Sequence, residues 1–255
     1  METVGIIAAM SQERDACLRF IAKGQRRLLG PFRCDRFRLF ERDCWLVTSG
    51  MGIKLAAQAA STLIEAIHPG FLVSVGIAGA VNADLEIGDV VAARNTCVLD
   101  QGLAGPFQTL ARLSEAAWQA SAQTLLAGGA RLVSGTAVTT RGSQYIQFQP
   151  DGMANPVLEM ETAGIAQAAA QQGIPLLCLR AISDGPRSPI PFDLEVMMDE
   201  DYNLRISKII KTITGHPQMI PQLVRMGRNT AKAAENAAIA LIAVLSQPDV
   251  LLLQR

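Results

Sequence analysis

Four acidic residues stand where an α/β protein collects its chemistry. Glu13 follows the apolar opening run Val4 to Ala9. Glu159 and Glu161 flank Met160 at a strand-to-helix switch, and Asp184 comes directly after the apolar run Leu176 to Ile182. In open α/β sheets, ligands gather beyond the carboxyl ends of the strands. A carboxyl group placed there can transfer a proton in a transition state, or hold hydroxyl groups by charge-assisted hydrogen bonds. Each acid also has a plain structural reading. Glu13 and Glu161 open helices, where a negative charge complements the helix dipole. Asp184, in Ser183-Asp184-Gly185-Pro186, has the setting of a turn aspartate. Spacing alone makes none of them catalytic.

The glycine-rich segments are less specific. Gly76-Ile77-Ala78-Gly79 lacks the G-x-G-x-x-G order, and no G-K-[ST] follows Ser49-Gly50-Met51-Gly52. Both read as tight turns, or as places where backbone approaches a ligand. The only histidines, His68 and His216, each precede a proline, which argues against a histidine metal site or a Ser-His-Asp triad. Cys17, Cys34, Cys44, Cys97 and Cys178 are odd in number and widely spaced, so they read as free, buried thiols of a reducing compartment. Neither metal nor cofactor is expected.

The elements that must position these acids follow from the apolar pattern. Val4–Ala9 reads as a buried strand. Ser11 is the expected N-cap of a helix through about Ala22. Residues 26–43 read as a hairpin, Trp45–Thr48 as a strand and Lys54–Ile67 as an Ala-rich helix. Phe71–Val75 is a third strand, stopped at Gly76, and Leu85–Ala93 a strand with a bulge at Gly88-Asp89. A helix over Arg112–Leu126 precedes strands at Arg131–Val138 and Val157–Met160. A helix over Glu161–Gln171, closed by Gly173, leads into the strand Leu176–Ile182. From about Leu194 the pattern is helical to the end. Buried strands alternating with helices predict an α/β fold with a mostly parallel or mixed central sheet, in a single domain of 255 residues carrying a helical tail.

Composition narrows the function classes. The chain is 49% hydrophobic, enough for a substantial core. Its formal net charge is zero and only 5% is aromatic, which argues against nucleic acid as a partner. Met1-Glu2-Thr3-Val4 lacks a basic leader region, and the apolar run Ala237–Leu245 is far shorter than the roughly 18 residues of a spanning helix. The expected location is cytoplasmic.

Taken in order, the motifs resemble the 5′-methylthioadenosine/S-adenosylhomocysteine nucleosidases of the purine nucleoside phosphorylase superfamily. Gly5-Ile6-Ile7-Ala8-Ala9-Met10-Ser11-Gln12-Glu13 is similar to their opening, and Ser49-Gly50-Met51-Gly52 to their S-G-[IM]-G turn. Val75-Gly76-Ile77-Ala78-Gly79 resembles T-G-S-A-G. Leu158-Glu159-Met160-Glu161-Thr162-Ala163 resembles V-E-M-E-[AT]-A, and Arg180-Ala181-Ile182-Ser183-Asp184 resembles R-x-I-S-D. The likeness covers about residues 3–185, and its last two motifs are the specific ones.

The resemblance implies a three-layer αβα fold and an enzyme that cleaves the N-glycosidic bond of a 5′-modified adenosine. It implies that Glu13 activates the attacking water and that Glu161 holds the ribose hydroxyls beside Met160 and Glu159. Asp184, steadied by Ser183, would protonate the purine. Gly76, Ile77, Ala78, Val138 and Thr139 would line the substrate site, and a homodimer is implied. The chemistry is coherent. Cleavage builds oxocarbenium character on the sugar, and a protonated purine departs as a neutral leaving group. Glu13 would repel a phosphate dianion, which favours water as nucleophile over phosphorolysis, although Arg14 is adjacent.

The sequence also departs from that pattern. Ile77 replaces a serine, Val138 replaces a phenylalanine of the base pocket, and Val98-Leu99-Asp100-Gln101 does not reproduce a His-Asp segment. The C-terminus is longer. Its run from Asn203 to Lys232 carries Arg205, Lys208, Lys211, Arg225, Arg228 and Lys232 without an acid, after the acidic cluster Asp193, Glu195, Asp199, Glu200 and Asp201. A basic amphipathic helix of this kind lies on an anionic membrane or covers the core with a solvated face. The tail resembles the hopanoid-associated phosphorylase-like branch, which implies adenosylhopane as substrate, against methylthioadenosine or S-adenosylhomocysteine. Outside enzymes, the same fold would serve a nucleoside-binding module.

Overall fold

The computed structural model describes residues 1–21, 24–100, 103–140, 152–189 and 220–252. The opening apolar run is β1 (Glu2–Ala8), followed by α1 (Ser11–Leu18). A meander of β2 (Gln25–Leu29), β3 (Phe32–Leu39) and β4 (Arg42–Thr48) leads to α2 (Ile53–Ile67) and β5 (Phe71–Ala80). Next come β6 (Val90–Asp100), two short strands β7 (Leu103–Ala104) and β8 (Gln108–Thr109), and α3 (Glu115–Ala127). After β9 (Leu132–Thr139) and β10 (Pro156–Glu159) come α4 (Thr162–Gln171), β11 (Leu176–Asp184) and α5 (Ile220–Leu245).

The strand order is β10-β9-β6-β11-β5-β1-β4-β3-β2, with β7 and β8 paired to β6. The sheet is mixed. β1 runs parallel to β4 and β5, β5 to β11, and β9 to both β6 and β10, whereas β11 is antiparallel to β6. An antiparallel pairing of Val157 and Leu158 with Ala80 and Gly79 closes β10, β9, β6, β11 and β5 on themselves. That closure brings the end of β10, with Glu159, back to the glycine segment of β5. One face of the sheet packs Ala56, Ala59, Leu63, Ile165 and Ala169 of α2 and α4. The other packs Ala16 and Cys17 of α1, Ala117 and Leu125 of α3, and the α5 stripe Ala233, Ala237, Ala240, Leu241 and Val244. Strands buried on both faces explain their continuous apolar runs.

The mixed, helix-covered sheet agrees with the reading of the sequence. Several local expectations change, and the tail expected to be helical to its end leaves the helix after Leu245. α1 ends at Leu18 rather than near Ala22, and its N-cap is Met10 with Ser11 the first helical residue, because the Glu13 carboxylate caps the free N–H groups instead. β5 does not stop at Gly76. It runs to Ala80 because Gly76 through Gly79 keep their ladder with β11. The strand expected from Leu85 begins at Val90. Asp89 accepts the N–H of Glu86 and pairs with Arg131, a side-chain turn that competes with strand pairing. β6 carries its register shift later, between Ala93 and Asn95. The acidic cluster 193–201, the first half of the basic run and His216 lie outside the described residues.

All five cysteines are free and buried, as expected. Burial pushes the thiols up, to about 12 for Cys17 and about 11 for Cys97, so they are inert side chains of the core. Among the described residues no helix is long and apolar enough to cross a membrane.

Arg42 fastens the last helix to the sheet. It is buried at the start of β4, donates from Nη1 to the carbonyl of Leu245 at 2.7 Å, and from Nη2 to those of Gln247 and Pro248 at 2.9 and 2.7 Å. Its Nε meets Glu2 at 2.8 Å. These bonds satisfy carbonyls that the end of a helix leaves without partners. Arg42→Ala is expected to destabilise the protein by about 2–4 kcal/mol, read as a lower urea midpoint, because it strips charge-assisted bonds from buried carbonyls. A shift within about 0.5 kcal/mol would show that the anchor is dispensable.

Candidate active site

Glu13 is the third residue of α1 and is buried, 4% exposed. One carboxylate oxygen accepts the N–H groups of Ala9 and Met10, each at 2.9 Å, and so closes the helix N-terminus. The other accepts the N–H of Ile77 in β5 at 2.9 Å. The structural role and a place in the site are therefore both realised by one side chain. Burial raises its pKa, against the pull of Arg180 and the three N–H donors. Gly76 makes room for it, since a Cβ there would lie 2.5 Å from Glu13 Oε1 and 3.3 Å from an Arg180 nitrogen.

Glu161, at the mouth of α4, is also buried and reaches across the molecule. It accepts the N–H of Gly52 at 3.0 Å and that of Met160 at 3.3 Å. Burial, with Glu159 and Glu13 repelling its charge, pushes its pKa up to about 8, while Arg180 and the Gly52 N–H oppose the rise. Glu13, Glu161 and Arg180 line one cleft, together with Ala9, Ser74 and Ile165.

Glu159, expected to contact substrate, does not reach the cleft. Its carboxylate is fully enclosed and accepts the N–H groups of Glu161 and Thr162 at 3.0 and 2.8 Å, the Thr162 hydroxyl at 2.6 Å, the Thr139 hydroxyl, and Arg180 Nη2 at 2.9 Å. Burial alone would raise its pKa, but Arg180 and the hydroxyls of Thr139 and Thr162 outweigh that and hold it below the usual range. Glu159 therefore fixes Arg180 and the start of α4. Arg180 also donates to Ser74 Oγ at 2.8 Å. Its Nε is buried without a hydrogen-bond partner among the described residues.

Asp184 ends β11 and is half-buried. Ser183 Oγ lies 2.6 Å from its Oδ1 and 3.3 Å from the carbonyl of Ala78, and can donate to either. Burial raises the Asp184 pKa, partly offset by Ser183. The register shift between Ile182 and Asp184 sets it opposite Gly79, where a Cβ would meet its Oδ2 at 2.7 Å. Asp184 lines a second cleft, with Ser183, Ser188 and residues of α5, rather than the one holding Glu13 and Glu161. Gly76 abuts the first cleft and Gly79 abuts Asp184. Three strand steps, roughly 10 Å, separate those positions.

The remaining expected residues divide. Ile77 contributes its N–H, Ala78 its carbonyl and Met160 its N–H, while Gly76 contributes space. Val138 is a correction. Its side chain is fully buried with Cys97, Leu99 and Leu158 and lines neither of the two clefts formed by the described residues. The Thr139 hydroxyl is likewise committed, to Glu159 and to the N–H of Ala163 at 3.0 Å. Two contributors received no role in the sequence reading. Gly52 leaves no sequence signal beyond its turn. Arg180 does, because an arginine inside a continuous apolar strand run has to be paired.

The family model of the Phosphorylase superfamily matches residues 3–214. The 5′-methylthioadenosine/S-adenosylhomocysteine nucleosidase of Glaesserella parasuis is 26% identical over 196 residues, covering 71% of this chain and 85% of that protein. The crystal structure of a 5′-methylthioadenosine/S-adenosylhomocysteine nucleosidase from Colwellia psychrerythraea in complex with adenine has a TM-score of 0.73 at 20% identity, covering 97% of this chain and 96% of that one. The futalosine hydrolase of Helicobacter pylori has a TM-score of 0.68 at 17% identity, covering 95% and 96%.

The raised pKa of Glu161 has a consequence for stability. The folded protein holds this proton more tightly than the unfolded chain, whose carboxyl titrates near its usual 4.5. Stability from this group is therefore greatest at and below that value and declines as pH rises toward about 8. Glu161→Gln is expected to raise the melting temperature at pH ~8 by a few degrees, on the order of 1–2 kcal/mol, and to change it little at pH ~5. Equal shifts at both values would contradict the buried-charge account.

Proposed function

The chain belongs to the phosphorylase superfamily, and from that premise we propose that it is a nucleosidase that hydrolyses the N-glycosidic bond of a 5′-modified adenosine and releases adenine. The observation that carries this reading is the cleft in which Glu13, Glu161 and Arg180 meet. The relatives named as nucleosidases support the same reaction class.

The residues take roles that their surroundings favour. Glu161 binds the ribose hydroxyls, since Gly52 and Met160 orient its carboxyl into the cleft. Glu13 takes a proton from water in the cleft that it shares with Arg180. A substrate lying along Gly76–Gly79 spans from this pair to Asp184. There a carboxyl with a raised pKa can protonate the departing purine. Water is favoured over phosphate because the cleft holds Glu13 and Glu161, and the Arg180 guanidinium that lines it is already paired with Glu159.

The reaction is tested by incubating the protein with methylthioadenosine and following free adenine, with and without inorganic phosphate. Adenine with ribose-type sugar at the same rate in both is expected. A phosphate requirement and a sugar 1-phosphate product would make it a phosphorylase, and tight binding without adenine would make it a binding module. Asp184→Asn is expected to lower kcat by about 10²–10⁴-fold with the fold retained, and near-normal turnover would remove Asp184 as the acid.

For the 5′ group, we extend the proposal to a lipid-borne nucleoside such as adenosylhopane. Supporting it, the first turns of α5 expose Ile220 and Val224 beside Arg225 and Arg228, a composition suited to an anionic lipid surface. Faster adenine release from adenosylhopane in liposomes than from methylthioadenosine or S-adenosylhomocysteine is expected, and the reverse order overturns the lipid reading alone. A homodimer is part of the proposal. The exposed Leu103 and Phe107 offer an apolar patch for it, and sedimentation as a monomer would refute it.

A further inference from the structure

The apolar stripe of α5 changes character along its length. Where the helix lies on the sheet, the stripe is Ala233, Ala237, Ala240, Leu241 and Val244. One to three turns earlier, at helical spacing, the same chain brings Gln222, Arg225, Met226 and Asn229 to the cleft beside Ser188 and Asp184. Asn229 is tied there, its Nδ2 donating to Ser188 Oγ at 3.1 Å. Ser188 closes the turn after Asp184. Its N–H donates to the Gly185 carbonyl at 2.9 Å, and its carbonyl accepts the return bond from the Gly185 N–H at 3.2 Å. Gly185 rests on Ala80, where an added Cβ would meet the Ala80 methyl at 3.0 Å.

We propose that Asn229 is a positioning residue for Asp184: through Ser188 it clamps the turn 185–188 against the end of β5 and keeps water from the Asp184 carboxyl. This inference rests on the reading of Asp184 as the leaving-group acid. Among the described residues the turn has few other fastenings. Arg187 in it lies 3.8 Å from Glu86, and both side chains are largely exposed, so that ion pair holds little. Among the described residues, Ser183 is the side-chain partner of Asp184, so burial rather than a charge sets its proton affinity. Among the described residues, the charged groups nearby are Arg225 from α5 and Arg187 with Glu86 at the turn, and β5 contains no charged residue. With the clamp released, water enters, the ionised carboxylate is better solvated, and its pKa falls toward the usual value.

The test compares Asn229→Ala, Ser188→Ala and the double variant with the wild-type protein. Each single variant is expected to move the alkaline limb of the kcat–pH profile for adenine release about one unit lower. It should cut kcat above that limb about 10-fold, with KM changed less than about 2-fold and the melting temperature retained. The double variant is expected to be no worse than either single one, because both remove the same link. An unmoved limb, additive losses, or a rise in KM alone would overturn the clamp. Carboxyl-carbon NMR titration of Asp184 in the wild type and Asn229→Ala reads the same shift without turnover. It therefore judges the clamp even if the wild type releases no adenine, a result that would sink the nucleosidase reading itself.

Discussion

The buried pair of Glu159 and Arg180 is the constraint on which the site depends. Both side chains are essentially without solvent contact, and a charge in such a place persists only when it is paired and hydrogen-bonded. Glu159 meets that condition with Arg180, two hydroxyls and two N–H groups from the start of α4. Arg180 is thereby fixed beneath the cleft, and its charge moderates the proton affinities of Glu13 and Glu161 above it. Replacing the pair with apolar side chains could leave a stable core, but it would leave two buried acids with no cation nearby.

Backbone closure does the rest of the positioning. β10 ends at Glu159 and is returned to β5 by its antiparallel pairing at Gly79 and Ala80. Acids from distant parts of the chain thus converge on one strand segment. Gly76 and Gly79 have no side chains because the carboxylates of Glu13 and Asp184 occupy that space. The site is therefore built as much from absent methyl groups as from present acids. It is also built at a cost, since three carboxyl groups with raised pKa values sit within one region of the fold. Such opposition to stability is expected where function, rather than packing, selects the residues.

The C-terminal helix joins the two sides of this arrangement. Arg42 holds its end, alanines seat its middle on the sheet, and its first turns pass the turn that follows Asp184. A change of stripe from alanine to Gln222, Arg225 and Asn229 marks the point where the helix leaves the core and reaches the cleft beside Asp184.

The sequence by itself determined the fold class and the candidate acids. Apolar runs such as Val4–Ala9 and Leu176–Ile182, short and bounded by turn residues, read as buried strands, and an acid just beyond such a run is placed at the end where ligands bind. Local pattern does not encode which acids face a cleft. Glu159 and Glu161 are two residues apart and look equivalent, yet one is sealed under Arg180 and the other lines the opening. Val138 reads as a pocket position and packs inward. Gly76-Ile77-Ala78-Gly79 reads as a turn and is a strand, because its pairing with β11 and the space needed by Glu13 are set by residues far away in the chain. Those choices depend on long-range register and on which charge is left to compensate another, and only the tertiary structure decides them.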